Sequence, residues 1–413
     1  MEKTTKTQRV IAIVLTALFI PMIAAGGVYG AITNGGEIGK SIRYSRAQSY
    51  LANKDDPGFF EMTRARIQSL ESEMGAGIPL KDELGYFNAS FQYALGKKVA
   101  LQGNEQIVSL PHDQLYALTT TESLADAADE VVRFYNQAKE RAPFLFSYIH
   151  PQFYEGGDPL PEEYRAIDKG DFLADQVLGA MREAGAETLD SRTFFVDYPQ
   201  YSVGDLQLKT DMHWTSLAAL LAAKTYAQEI NRLTGANLDV SRLDIQNFET
   251  ETYPELFLGE YGQQVGEMNS GLDDITLYWP KQDSVFTRNT INRDGTEESA
   301  HGGFRDAIIH WDAFDTEPDG TNISGYIAYG LIERYEELIN EGDCEDITIL
   351  MFKDSYSAPI GSFLSLLAKR VVMVDMRTVE QTAMDYVDQV NPDIIIFSHS
   401  RQMYEDHHYT LGV

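Results

Sequence analysis

Cysteine is nearly missing from this chain: Cys344 is the single one among 413 residues. No intrachain disulfide can form, so cysteine pairing says nothing of the redox compartment. Cys344 also stands far from any nucleophile pattern, which leaves it a structural or surface thiol. Positive charge is scarce as well, with 33 Lys plus Arg against 63 Asp plus Glu and a net charge of −30. A surface of that sign repels phosphate backbones, which argues against nucleic acid as a partner and fits poorly with broad docking on anionic lipid. Neither GxGxxG nor GxxxxGK[ST] occurs, so no nucleotide cofactor is expected. No repeat and no low-complexity tract is present.

Long apolar runs are lacking too, with one exception. Val10 to Ile32, "VIAIVLTALFIPMIAAGGVYGAI", carries no charge and follows Lys3, Lys6 and Arg9. It is long enough to cross the hydrocarbon core as a helix, with the basic flank on the cytoplasmic side. A retained anchor is favoured over a cleaved signal peptide because the run exceeds a usual signal core. The small residues Ala24 to Gly27 keep cleavage open. Under both readings the remainder works outside the cytoplasm. The expected organisation is a basic stub and anchor over 1–33, a linker or helical stalk over 34–84, and one catalytic domain over 85–413.

At 43% hydrophobic and 23% charged residues, the chain has an ordinary globular composition. Ser41 to Met74 reads as helical, and Gly85 to Gln114 as short strands and turns. Leu124, Ala127, Ala128, Val131, Val132 and Tyr135 recur at helical spacing, so Thr121 to Arg141 is a helix. "APFLFSYI" is a buried strand, Gly170 to Ala184 a helix, and "TFFVDY" (Thr193 to Tyr198) a second strand. A helix follows Trp214. "DITLYW" and "DAIIHW" are strand candidates. The last third alternates clearly: "ITILMF" strand, "SAPIGSFLSLLAKR" helix, "VVMVDM" strand, Val379 to Val390 helix, "DIIIFS" strand. Fully apolar strands alternating with helices predict a mainly parallel sheet covered on both faces, an α/β/α sandwich. Sites in such sheets lie at the carboxyl ends of the strands.

That rule selects "FKDSYSAP". Ser355 sits just past the Ile347 strand and just before a helix, where a hydroxyl is exposed and a helix start offers N–H groups to an oxyanion. GxSxG is absent. The competing reading is that Asp354 or Ser355 merely caps the helix. A serine nucleophile needs a base, and the base an orienter. "TDMHW" supplies a pair: Asp211 stands two positions before His213, and in an extended segment the two point to the same side. "EDHHYT" offers Asp406, His407 and His408 as a rival. Adjacent histidines on an extended chain point apart and no third ligand pattern is evident, so no metal is expected; His407 or His408 stays a backup base. His112, His150, His301 and His310 lack a carboxylate at useful spacing, though His150 ends a strand and could line the cleft.

"TDMHWT" together with "FKDSYSAPIGSFL" resembles the DHHW proteins and the alginate O-acetyltransferase-like proteins of bacterial cell surfaces, relatives of the SGNH hydrolases. "FLGEYGQQVGEMNSGLDDITLYWP", "DAIIHWDAFDTEPDGTNISGYIAYGL" and "VVMVDMRTVEQTAMDYVDQVNPDIIIF" extend the likeness, which covers roughly residues 85 to 405. The resemblance implies an SGNH-like three-layer fold, a triad of Ser355 nucleophile, His213 base and Asp211 orienter, and ester chemistry on carbohydrate hydroxyls without a cofactor. It implies an acyl donor, with a multispanning membrane acyl carrier as partner. Met212 replaces the His at the second position of the namesake motif and should point away from the catalytic side. Lys353 stands where many relatives have Gly, which puts the oxyanion geometry in doubt. Tyr356, Trp214, Arg401 and Gly259 are the remaining candidates for lining the site, and Trp279 and Trp311 could stack on sugars.

The expected function is therefore a membrane-anchored, extracytoplasmic serine acyltransferase or esterase acting on a cell-surface polysaccharide. The alternative is a non-catalytic polysaccharide-binding or assembly protein on a degenerate hydrolase fold.

Overall fold

The computed structural model describes residues 99–413 apart from 103–104, 111–113, 151–159, 318–319, 331–334, 380, 406–410 and 412–413. The anchor run, the stalk, His112 and the "DHHY" histidines lie outside the described residues. Among the described residues, no helix is long and apolar enough to cross a membrane.

Three short strands, β1 (Val99–Gln102), β2 (Glu105–Ser109) and β3 (Leu115–Leu118), form a small antiparallel sheet. Then come β4 (Phe144–Ile149), β5 (Glu187–Asp190), β6 (Phe248–Phe257), β7 (Asp273–Pro280), β8 (Phe286–Ile291), β9 (Glu297–Gly302), β10 (Tyr335–Asn340), β11 (Glu345–Lys353), β12 (Ala368–Val374) and β13 (Ile394–Ser400). Eight of them make the main sheet, in the order β5-β4-β13-β11-β12-β10-β8-β9. The sheet is mixed, not mainly parallel. From β5 to β12 every neighbouring pair is parallel. From β12 through β10 and β8 to β9 every pair is antiparallel. The parallel half is the part the apolar runs announced. The antiparallel extension is built from alternating, half-polar strands such as "YEELIN" and "FTRNTI", whose pattern is weaker.

Alternation along the central strands supplies two cores. Leu350, Phe352, Val372, Val374, Ile395 and Phe397 face one way, against the helices Ala125–Ala138, Gly170–Glu183 and Ala383–Val390. Ile349, Met351, Val371, Met373, Ile394 and Ile396 face the other, against Ser216–Thr234 and Ala358–Leu364. The three-layer arrangement is thus met. β6 and β7 form a separate two-stranded ribbon beside the second layer.

Three elements differ from expectation. "TFFVDY" is not a strand. The Asp190 side chain accepts from Arg192 N and starts a tight turn, and Phe194 swings into the core 5.8 Å from the Tyr226 ring; the strand is the preceding "ETLD". "DAIIHW" is not one either. Asp283 accepts from Phe304 N at 3.0 Å, and the chain turns helically over Phe304–Ala307 before Ile308 and Ile309 enter the core. The helix after the nucleophile candidate ends at Leu364, because Ala368, Lys369 and Arg370 already belong to β12, where Arg370 Nε donates to Glu337 of β10 at 2.6 Å.

Candidate active site

The base segment is a clamped loop, not an extended strand. Leu208 N donates to His213 O at 3.1 Å and Gln207 bridges Trp214, so residues 209–213 bulge out between the two ends. Asp273, at the start of β7, holds the loop by accepting from Lys209 N, Thr210 N and the Thr210 hydroxyl at 2.9, 2.9 and 2.6 Å. In that loop Asp211 Oδ1 accepts from His213 N at 2.9 Å and lies 2.5 Å from His213 Nδ1. Asp211 Oδ2 accepts from Glu260 N at 2.8 Å. Burial alone would push the Asp211 carboxyl up, but His213 and these N–H donors hold it below the usual carboxylate range. It stays ionised and acceptor-only, which fixes the proton on Nδ1 and frees Nε2 to accept. Met212 turns its side chain away into the core, while its carbonyl accepts from the Tyr356 hydroxyl at 2.8 Å.

Ser355 follows β11 in a turn that Asp354 builds. Asp354 Oδ1 accepts from Tyr356 N and Ser357 N at 3.0 and 3.2 Å, and Oδ2 from Ser400 N at 2.6 Å. The capping role falls to Asp354, which satisfies the turn, and the Ser355 hydroxyl takes no part in it. The same bonds consume the N–H groups expected to greet an oxyanion. Ser355 N remains without an acceptor among the described residues. The Ser355 hydroxyl lies 2.7 Å from His213 Nε2, across 142 residues of sequence. The imidazole sits between two rings, Tyr326 at 4.2 Å and nearly parallel and Tyr356 at 4.5 Å. Burial, Asp211 and Glu260 push the Tyr326 phenol up to about 12, and Tyr356 rises well above its ordinary value, chiefly through burial. Both rings stay neutral beside the base.

The weaker candidates find other places. Trp214, 6% exposed, donates its indole N–H to Tyr356 O at 2.9 Å and ties the base loop to the nucleophile turn. Gly259 lies behind Asp211, not against the open site. A Cβ there would stand 2.3 Å from Asp211 Cβ and 2.6 Å from Thr210 O. Arg401 turns to the Thr119 hydroxyl at the end of β3 and lines neither cavity described below. Lys353 is buried 3.7 Å from Asp375, which also holds Arg377 by two bonds of 2.8 and 2.6 Å. Trp279 and Trp311 flank the Arg305 guanidinium instead of the site. His150, His301 and His310 do have carboxylates within 3.4 Å, namely Asp171, Glu341 and Glu336, but these come from distant sequence and none of the three histidines lines either cavity. Among the described residues no group of three or more metal-ligating side chains is placed to hold an ion.

Two cavities meet at Ser355. One, of about 270 Å³, is lined by Asp354, Ser400, Gln402, Arg293 and Arg377. The other, of about 250 Å³, runs past His213, Trp214 and Tyr326 toward β7. Tyr326 and Arg377 were missed from sequence. Tyr326 had a signal in the aromatic "SGYIAYG" segment; Arg377 had only its local partner Asp375, two residues before it, because the cavity it lines exists only in the folded sheet.

Residues 158–306 match the model of the SGNH hydrolase-like domain of acetyltransferase AlgX. The match includes Asp211 and His213 and stops before Ser355. No curated protein matches in sequence. Among solved structures, a DHHW family protein from Eubacterium siraeum is similar, with a TM-score of 0.56 at 16% identity, covering 75% of this chain and 98% of that one. Bacillus cereus PatB1 is similar with a TM-score of 0.55 at 15% identity, covering 73% and 97%. A second PatB1 structure, with a sulfonyl adduct, gives 0.54 at 15% identity, covering 73% and 96%. The chain thus shares its α/β fold with the DHHW protein and PatB1, and over residues 158–306 it matches the model of the SGNH hydrolase-like AlgX domain.

Proposed function

We propose that the protein is a serine-dependent O-acyltransferase that places acetyl groups on hydroxyls of a cell-surface polysaccharide, outside the cytoplasm and anchored through Val10 to Ile32. The observation that carries this reading is the unbroken line from Asp211 through His213 to the Ser355 hydroxyl, with contacts of 2.5 and 2.7 Å. The acetyltransferase description of the matching domain family supports the acyl group.

In the first half-reaction Ser355 Oγ attacks the carbonyl carbon of a donor ester as its proton passes to His213 Nε2. The carbonyl oxygen becomes an oxyanion beside Ser355 N–H, with the Arg377 guanidinium in the same cavity adding positive potential. The ester C–O bond then breaks, the leaving alcohol takes the proton from His213, and acetyl stays on Ser355. In the second half-reaction the acceptor hydroxyl gives its proton to His213, its oxygen attacks the acyl carbon, and Ser355 Oγ leaves with that proton. Asp211 remains ionised throughout and stabilises the transient imidazolium.

The test is covalent labelling and turnover on the full chain. Wild type reacts with a sulfonyl fluoride and shows burst kinetics with 4-nitrophenyl acetate. Ser355→Ala loses the adduct, and both Ser355→Ala and His213→Ala lose turnover by at least about 10³-fold. A folded wild type that takes no label and turns over no acetyl ester would overturn the proposal.

A further inference from the structure

We infer that the acceptor is a glycan without acid groups, held in the cleft that touches His213. This rests on the acyl-transfer reading above. It starts from the division of labour between the two cavities. The base gives its proton to the leaving alcohol and takes one from the attacking hydroxyl, so the alcohol oxygen must reach His213. Of the two cavities that meet at Ser355, the roughly 250 Å³ cleft is the one His213 lines. The acyl carbonyl therefore turns to the other side, where Ser355, Arg293 and Arg377 meet.

The charges are sorted the same way. Both arginines lie on the acyl side. Among the described residues lining the acceptor cleft there is no lysine or arginine, while Asp205 and Asp274 are both present and exposed. Each carboxylate is engaged on one oxygen only. Asp205 Oδ2 accepts from Ser202 N and its hydroxyl, and Asp274 Oδ1 from Glu255 N. The second oxygen of each has no protein donor among the described residues. Thr215, Thr276, Tyr278 and Tyr326 line the same cleft. Free carboxylate oxygens accept from sugar hydroxyls, and ring faces pack on the apolar faces of pyranoses. A uronate or phosphate repeat would instead set its acid groups against Asp205 and Asp274, with no cation in the lining to offset them. The chain's net charge of −30 adds repulsion of the same sign.

Calorimetry on the full chain carrying Ser355→Ala tests this without needing turnover. Neutral hexaoses (cello-, xylo- and mannohexaose) are compared with hexagalacturonate at low salt. At least one neutral hexaose should bind about tenfold or more tighter than the uronate. Adding Asp205→Asn and Asp274→Asn should narrow that gap to within about threefold. Equal or tighter binding of hexagalacturonate overturns the inference. So does failure of every neutral hexaose to bind while wild-type Ser355 still takes a sulfonyl label, and the catalytic reading then stands alone. Selective neutral binding by a chain whose Ser355 takes no label keeps the cleft and sinks the catalysis.

Discussion

Asp211 keeps its charge inside the protein because both of its oxygens are engaged, one by His213 and the other by Glu260 N. Asp211→Asn keeps the shape but not the charge, so His213 loses its fixed tautomer. Steady-state turnover of 4-nitrophenyl acetate should fall by about 10²- to 10⁴-fold with the circular dichroism spectrum unchanged. Tyr326 holds the imidazole by its ring, stacked at 4.2 Å, and not through its hydroxyl. Tyr326→Phe should therefore stay within a few-fold of wild type in kcat, whereas Tyr326→Ala, which frees one face of the ring, should lose about tenfold or more. Gly259→Ala drives a methyl group into Asp211 and Thr210, and neither can yield, since Asp273 pins the loop. Both kcat and thermal midpoint should drop. Asp211, His213 and Ser355 were legible because local order carries them, an acid two residues before a histidine and a serine between strand and helix. Their meeting was not deduced correctly in detail: the pair joins through a clamped bulge, since Asp273 captures the backbone that an extended segment would have left straight.

At the scale of elements, the strand that follows the nucleophile in the sheet carries a titration of its own. His399, in β13, is fully buried against Phe397 and Tyr404, and burial lowers its pKa to about 4. Unfolded, it titrates near 6.5. Between those values the unfolded chain binds the extra proton, so this group's contribution is complete above about pH 6.5 and is lost as pH falls through about 4. The full loss is about 3 kcal/mol at 1.36 kcal/mol per unit. Urea unfolding at pH 7 and pH 4.5 should show wild type losing more stability than His399→Leu over that interval. The central strands were readable for the reason that makes this histidine costly: a strand buried on both faces spells a nearly unbroken apolar run. β8, β9 and β10 show water or helices more unevenly, alternate with charged residues, and so concealed the antiparallel half of the sheet. "DAIIHW" looked like a strand because Ile308 and Ile309 are core residues, but core residues in a turn carry the same letters.

For the whole molecule, a net charge of −30 means that folding gathers like charges into a smaller volume. Raising sodium chloride from about 20 to about 200 mM shortens the screening length from roughly 20 Å to below 10 Å, so the thermal midpoint should rise over that range. A midpoint that falls instead would show that attractive pairs, such as the Arg192 cluster with Asp171, Asp175 and Asp190, outweigh the repulsion. One more consequence follows from the order of strands. β13 is late in sequence yet lies between β4 and β11, and its Ser398 and Ser400 backbones hold the Ser357 hydroxyl and the Asp354 carboxylate. During synthesis, the sheet is open at its middle and the turn bearing Ser355 is untied until this strand arrives. A growing chain thus carries its own latency: under the proposed chemistry, it attacks no ester until β13 has been made.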